Sequence, residues 1–88
     1  MKREISKQND FFESSDLTIC TTLCYFGYQI ETISRQISSK VIFSIKKDEK
    51  LDELIQKYWA HQLLVEPMAF FNCLKEIKSR IYSSLPNN

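Results

Sequence analysis

The chain contains few of the residues that linkers and low-complexity segments require. Its 88 residues include one glycine and two prolines, which excludes a linker or low-complexity protein. Apolar residues make up 43% and aromatic residues 12%, enough for a hydrophobic core. Because 88 residues fall below the size at which domains divide, we expect a single domain over residues 11–83. A flexible tail over residues 1–10 is expected before it and a frayed end over residues 84–88 after it.

Excess charge and long apolar runs are also missing. Twelve Lys and Arg against eleven Asp and Glu give a net charge of +1, without the basic excess that neutralises several phosphates at once. No stretch approaches the roughly 18 apolar residues that span a membrane, and residues 1–5 lack the apolar run of a secretion signal. Three cysteines, an odd number, indicate reduced thiols rather than a disulfide framework. We expect a cytoplasmic protein that does not contact a membrane.

The first half of the sequence predicts a helix followed by a β-hairpin. A hydroxyl of the serine pair at 14–15 is expected to cap a helix over about residues 16–26. Gly27 can take the left-handed conformation that ends this helix. Two runs rich in β-branched and aromatic residues, 28–36 and 40–46, are expected to be strands. Because no Asn-Gly or Gly-X pair separates them, a loop of about four residues is favoured over a tight turn.

The second half predicts two helices. Asp48 is expected to cap the first, and its apolar stripe is Leu51, Leu54, Ile55, Tyr58 and Trp59. Pro67 opens the last helix. The core face expected for the last helix is Phe70, Cys73, Leu74, Ile77 and Ile81. The predicted fold is therefore α+β, in the order helix-strand-strand-helix-helix, with a two-stranded antiparallel hairpin packed on three helices.

Five short motifs resemble a family of small uncharacterised domains from bacteria and their phages. The motifs are Phe12-Glu13-Ser14-Ser15-Asp16-Leu17, Gly27-Tyr28, Val41-Ile42-Phe43, Tyr58-Trp59 and Leu74-Lys75-Glu76-Ile77-Lys78. The first opens a helix in that family and the fourth ends one, and the resemblance runs over about residues 12–82. The first helix departs from the alanine-rich character usual in the family. The resemblance implies the fold and a bacterial, phage or mobile-element origin, and it implies no site.

Four residue types that could carry chemistry have structural explanations. Cys20, Cys24, Cys73 and His61 could together form a tetrahedral zinc site. Cys20 and Cys24, however, lie on an apolar arc of the first helix, where free cysteine packs as a small hydrophobe. A nucleophilic pair of Cys73 and His61 needs an exposed thiol, whereas Cys73 is on the core face of the last helix. The acids Asp48, Glu49, Asp52 and Glu53 fit the first turns of a helix. We predict no catalytic, metal or cofactor site.

The last helix carries a candidate protein-interaction surface. Beside its core face lie Met68, Phe71, Lys75, Lys78 and Tyr82, which we call the aromatic–lysine stripe. Such a stripe could bind a partner helix, with the aromatics as anchors and the lysines at the rim. The alternative is that Phe71 and Tyr82 pack against the first helix or Trp59 while the lysine stems cover them.

A second candidate surface is the hairpin basic cluster. It consists of Arg35, Lys40, Lys46, Lys47 and Lys50. A basic ribbon could follow a nucleic-acid backbone, whereas a solvated strand face with interspersed acids is the alternative. The sequence thus predicts a non-enzymatic interaction module that binds another protein, or a second copy through the stripe or an open sheet edge. A nucleic-acid-binding accessory protein is the alternative function.

Overall fold

The computed structural model describes residues 10–35 and 41–83. Along these residues the elements are β1 (Phe11–Ser14), α1 (Leu17–Tyr25), β2 (Ile30–Arg35), β3 (Val41–Lys46), α2 (Leu51–Trp59) and α3 (Pro67–Ser83). The predicted α+β class is confirmed. The tail at 1–9, the loop at 36–40 with Lys40, and the end at 84–88 lie outside the described residues.

The sheet contains a strand that the sequence pattern did not predict. Its order is β1-β3-β2, and both neighbours of β3 are antiparallel to it. The backbone N–H of Lys47 also donates to the carbonyl of Asp10 at 2.7 Å, so Asp10 belongs to the sheet edge and not to a tail. The predicted antiparallel pairing of the second and third strands is confirmed, whereas the sheet has three strands and not the predicted two. β1 is only four residues long, too short to show a period of two, and its last residue is Ser14, which the sequence pattern assigns to the start of a helix.

The strand register places the large apolar side chains on one face. Phe12 and Ile30 both pair with Ile45, and Ile33 pairs with Phe43. Paired residues of antiparallel strands project to the same side. The helices cover this side, and the buried core is Ile19, Cys20, Leu23, Ile30, Phe43, Ile45, Leu51 and Ile77. α1 contacts both α2 and α3, so it lies between them in the helical layer.

The helix caps differ in detail from the prediction. The carboxylate of Asp16 caps α1, accepting from the backbone N–H groups of Thr18 at 2.9 Å and Ile19 at 3.2 Å. Ser14 instead accepts from the N–H of Asp16 at 2.9 Å, so the predicted serine cap is wrong. An anionic acceptor also complements the positive end of the helix dipole, which favours aspartate at this position. For α2 the N-cap residue is Lys50, whose side chain makes no hydrogen bond there, and the predicted cap Asp48 accepts from the backbone N–H of Lys50 at 3.0 Å, one residue before the helix.

Gly27 terminates α1, as predicted, two residues after the last helical residue. Gly27 has φ 102°, and its N–H donates to Cys24 O while the N–H of Tyr28 donates to Leu23 O, each at 3.0 Å. These two bonds form a Schellman motif, which satisfies carbonyls that the helix itself leaves free.

α2 ends in the same motif, with histidine where α1 has glycine. His61 has φ 62°, and its N–H donates to Tyr58 O at 3.1 Å while the N–H of Gln62 donates to Lys57 O at 3.0 Å. The left-handed region costs a non-glycine residue about 1–2 kcal/mol. The two helix ends therefore differ in backbone strain.

Substitutions at these two positions are expected to change stability in opposite directions. Gly27→Ala should lower the free energy of unfolding by about 1–2 kcal/mol through backbone strain alone, because an added Cβ would meet no atom within 4 Å. His61→Gly should raise it by about 0.5–1 kcal/mol, since relief of strain exceeds the extra chain entropy of glycine. Urea denaturation measures both changes.

Ala60→Gly is the matched control, because Ala60 has φ −84° and gains nothing from glycine. This control should be neutral or destabilising. Stabilisation by Ala60→Gly as large as that by His61→Gly would contradict the assignment of strain to His61.

Candidate protein-interaction site

The start of α3 is tied to the end of α1. Pro67 occupies the first helical position, where its missing N–H breaks no helical hydrogen bond. The carboxylate of Glu66 accepts from the N–H groups of Met68 at 3.2 Å and Ala69 at 2.8 Å. The N–H of Glu66 in turn donates to the hydroxyl of Tyr25 at 2.9 Å. These bonds fix the first turn of α3 against α1.

The far end of α3 is tied to β2 by two arginines. The guanidinium of Arg80 donates to Ile30 O at 3.0 Å, and that of Arg35 donates to Ile81 O at 3.4 Å. Ile77, between the two ends, is 1% exposed in the core. With both ends and the middle held, the face that α3 presents to solvent is fixed.

The aromatic–lysine stripe lies on that solvent face. Met68 is 70% exposed, Phe71 55% and Tyr82 65%, and Lys75 and Lys78 are exposed as well. At 100° per residue the five side chains fall within an arc of about 80°, and they extend about 21 Å along the axis. The alternative of a stripe covered by the first helix or Trp59 does not match these exposed fractions.

The charges on the stripe are of one sign. The ammonium group of Lys75 lies 5.6 Å from the ring centroid of Phe71, a distance at which a cation is attracted to the ring face. Glu76 and Arg80 project more than about 100° away from the centre of the stripe. A partner on this face therefore contacts lysines and apolar groups but no acid of the stripe itself.

A groove of about 450 Å³ opens where α1, the end of α2 and the start of α3 come together. Its lining residues are Thr22, Tyr58, Trp59, His61, Leu63, Val65 and Phe70. We call it the aromatic groove. The rings of Tyr58 and Trp59 meet edge to face at 5.1 Å and 85°, and Trp59 is 62% exposed. Burial, and less strongly the charge of Asp16, raise the pKa of Tyr58.

The sequence interpretation missed this groove. It assigned Tyr58 and Trp59 to the core stripe of α2, whereas Trp59 is largely exposed and Leu51 is the buried member of that stripe. One signal was present: Leu63-Leu64-Val65 is an apolar run between two helices, and Leu64 is 90% exposed. Such a run outside a periodic element is a candidate for contact with a partner.

A smaller groove, of about 260 Å³, lies between the end of α1 and α2 and is lined in part by Tyr28, Lys50 and Lys57. The hydroxyl of Tyr28 donates to the carboxylate of Asp48 at 2.6 Å. Desolvation and this hydrogen bond raise the pKa of Tyr28 to about 12, and the same bond lowers that of Asp48. An ion pair of Lys57 with Glu53, 3.7 Å long, balances the charge at its rim. This groove presents no unpaired acid or reactive group.

The structure does not bring the hairpin basic cluster together. Arg35 pairs with Val41 in the register, at the opposite end of β3 from Lys46, and these ends are about 17 Å apart. The side chain of Arg35 is half-buried and directed to α3, with its Nε buried and without a hydrogen-bond partner. Lys46, Lys47 and Lys50 remain near one another in the chain, and Lys40 lies outside the described residues.

The cysteines and the histidine occupy different surroundings. Cys20 is fully buried, and burial, with smaller effects of Asp16 and Cys24, raises its pKa to about 12. Cys24 and Cys73 are half-buried free thiols, and burial raises the pKa of Cys24. His61 is exposed at the end of α2. Within residues 10–35 and 41–83, no group of three or more His, Cys, Asp or Glu side chains is placed to hold a metal ion.

The described part of the chain contains no helix that is both long and apolar enough to cross a membrane. Its three helices cover one face of a three-stranded antiparallel sheet, which defines a small two-layer α+β domain. The chain belongs to the family of the domain of unknown function DUF5659, which it matches over residues 9–83. The resemblance to a family of uncharacterised domains is thereby confirmed. Neither a curated protein nor a solved structure matches the chain.

Proposed function

We propose that this domain is a non-enzymatic interaction module that binds another protein through the aromatic–lysine stripe. The observation that supports the proposal is the exposure of Met68, Phe71 and Tyr82 on a helix whose two ends are held by hydrogen bonds. Phe, Tyr and Met are enriched at protein interfaces, where aromatic side chains act as anchors. A fixed helix face also requires little ordering on binding, which favours affinity.

The anchors are large enough to contribute substantially to binding. Full burial of a large apolar side chain contributes about 1.5–3 kcal/mol, and Phe71 and Tyr82 are each more than half exposed. Lys75 and Lys78 suit the rim, where their stems cover apolar surface and their ammonium groups stay hydrated. The stripe thus combines apolar anchors with a polar border.

The double substitution Phe71→Ser with Tyr82→Ser is expected to reduce partner capture by about 10–100-fold, because two anchors are lost. The measurement is affinity enrichment from cell extract with quantitative mass spectrometry of the captured proteins. Ala69→Ser with Glu76→Gln, which project about 120–140° away from the centre of the stripe, is the matched control and should leave capture unchanged. Capture of the same protein at equal levels by a folded stripe variant, with folding checked by circular dichroism, would contradict the proposal.

Other routes to partners have less support. β3 is paired on both sides, so a homodimer through a sheet edge would use β1, which has four residues, or β2. Nucleic-acid binding has less support because Arg35, one of its predicted contacts, directs its guanidinium to α3.

We also propose action in the cytoplasm of a bacterium or of a phage host. The three free thiols support a reducing compartment.

A further inference from the structure

We infer that the segment bound by the stripe is an acidic amphipathic helix of another protein, which inserts one aromatic or branched aliphatic side chain into the aromatic groove. This inference rests on the function proposed above and specifies the chemistry of its partner. It is carried by the sign of the charges on the stripe, by the length of the stripe, and by the lining of the groove.

The charge of the stripe requires acids on the partner. Lys75 and Lys78 are exposed beside Phe71 and Tyr82, and a partner that covers the aromatics also removes water from the ammonium groups. Desolvated cations need opposite charges, and like charges across an interface cost affinity. A second copy in a two-fold pairing through the same stripe would set lysines against lysines. The complementary surface is therefore acidic and belongs to a different chain.

The shape of the stripe fits a helix. Its length of about 21 Å corresponds to nearly four helical turns, about twice the span of roughly 10.5 Å over which an amphipathic helix places anchors at i, i+3, i+4 and i+7. Leu64, 90% exposed, lies three residues before α3 and adds exposed apolar surface to the segment that leads into the helix. An extended strand binds by pairing its backbone with free N–H and C=O groups of the other chain. A helix such as α3 has no free backbone groups outside its ends.

The groove lies beside the first turn of α3, the end at which the stripe starts. Phe70 lines the groove, and Phe71, which projects 100° further around the helix axis, belongs to the stripe. The volume of about 450 Å³ falls among those of ligand sites, which are about 300–1,000 Å³. The hydroxyl of Thr22 in its wall already donates to Thr18 O at 2.8 Å, and no acidic side chain lines the groove. An apolar side chain is therefore better suited to it than a charged one.

The charge part of the inference is tested with two displayed libraries of helical peptides. Both randomise the apolar positions, and the rim positions are fixed as Glu in one library and as Lys in the other. We expect binders from the Glu library alone, and the double reversal Lys75→Glu with Lys78→Glu should transfer enrichment to the Lys library. Ala69→Glu with Ser83→Glu, which adds negative charge about 100–140° away from the centre of the stripe, should retain the preference of the wild type. Equal enrichment of both libraries, or no binder from either, would overturn the acidic partner.

The groove part is tested by NMR with N-acetyl-tryptophanamide, N-acetyl-leucinamide and N-acetyl-lysinamide at millimolar concentration. The first two should shift the indole N–H of Trp59, the only tryptophan in the chain, and the lysine derivative should not. Val65→Arg, at a partly exposed position of the groove, should abolish these shifts and weaken the Glu-rim peptides by about tenfold or more.

The outcomes separate this inference from the proposed function. If Phe71→Ser abolishes binding of Glu-rim peptides while Val65→Arg has no effect, the groove is not the anchor site and the stripe remains a binding surface. A concentration-dependent dimer that Phe71→Ser dissociates would replace the acidic partner with a second copy. Binding of peptides that neither variant weakens would overturn both the inference and the proposed function.

Discussion

Replacement of Phe43 by alanine is expected to lower the free energy of unfolding by about 3–5 kcal/mol. Phe43 is 2% exposed and lies on the central strand, between Ser14 of β1 and Ile33 of β2. Truncation removes the transfer free energy of the ring and leaves a cavity that the packed helices fill only in part. Domains of this size have total stabilities of about 5–15 kcal/mol, often near the lower end. The variant should therefore be partly unfolded at room temperature, as urea titration followed by circular dichroism would show.

Ile42→Ala is the matched control for this prediction. Ile42 is the neighbour of Phe43 on the same strand, and it projects to the sheet face opposite the helices and is only partly buried. Its truncation should cost about 1 kcal/mol. Equal losses for Ile42→Ala and Phe43→Ala would show that the sheet register is wrong, since a shift by one residue exchanges the two faces.

Cys20 in the native protein is expected to react with a thiol reagent at least about 10³-fold more slowly than Cys73. Cys20 is 0% exposed, so it reacts only when the chain opens, and for a stability near 5 kcal/mol the open fraction is about 10⁻³ to 10⁻⁴. Burial also raises its pKa to about 12, which removes the reactive thiolate at neutral pH. Cys73 is half-buried and accessible without global unfolding. Timed labelling at pH 8 with mass spectrometry of peptides measures both rates.

Denaturant provides the internal control for this measurement. Below the unfolding midpoint the labelling rate of Cys20 should rise in proportion to the unfolded fraction, while that of Cys73 should change little. The raised pKa of Cys20 also makes the free energy of unfolding depend on pH. The contribution is fully present below pH 9.0, the pKa of the thiol in the unfolded chain, and it is lost as pH rises toward 12. Labelling of Cys20 as fast as that of Cys73 would remove Cys20 from the core and revive the metal hypothesis.

The candidate site was predictable in part. The spacing of Met68, Phe71, Lys75, Lys78 and Tyr82 placed them on one flank of a helix, because helical period alone decides which residues share a face. Whether that flank is covered depends on where α1 and α2 lie, which involves contacts between residues far apart in the chain. The exposure of Phe71 and Tyr82 is therefore a property of the tertiary structure.

The hairpin basic cluster illustrates the opposite case. If side chains alternated regularly between the two faces from the buried Ile30 onward, Ile33 and Arg35 would project to the open face of the sheet. A bulge between Ile30 and Thr32 shifts the alternation, so that Ile33 and Arg35 project to the helical side. Nothing in the local sequence indicates this bulge. Because of it, the side chain of Arg35 lies against the end of α3 and not on the predicted basic surface.

The aromatic groove has no counterpart in the sequence pattern. Its walls come from α1, α2, the connection between α2 and α3, and α3 itself. Residues from segments this distant meet only after the helices have packed. The apolar run at 63–65 was the only local indication.

The sequence by itself determined the α+β class, the start of α3 and the end of α1, because helical period, proline at the first helical position and the freedom of glycine act within a few residues. It also determined that Val41, Phe43 and Ile45 share a strand face. Only the tertiary structure decided the third strand, the inward position of Arg35, and the surfaces that stay exposed. Strand pairing and burial depend on contacts between distant residues, whose free energy local patterns do not contain.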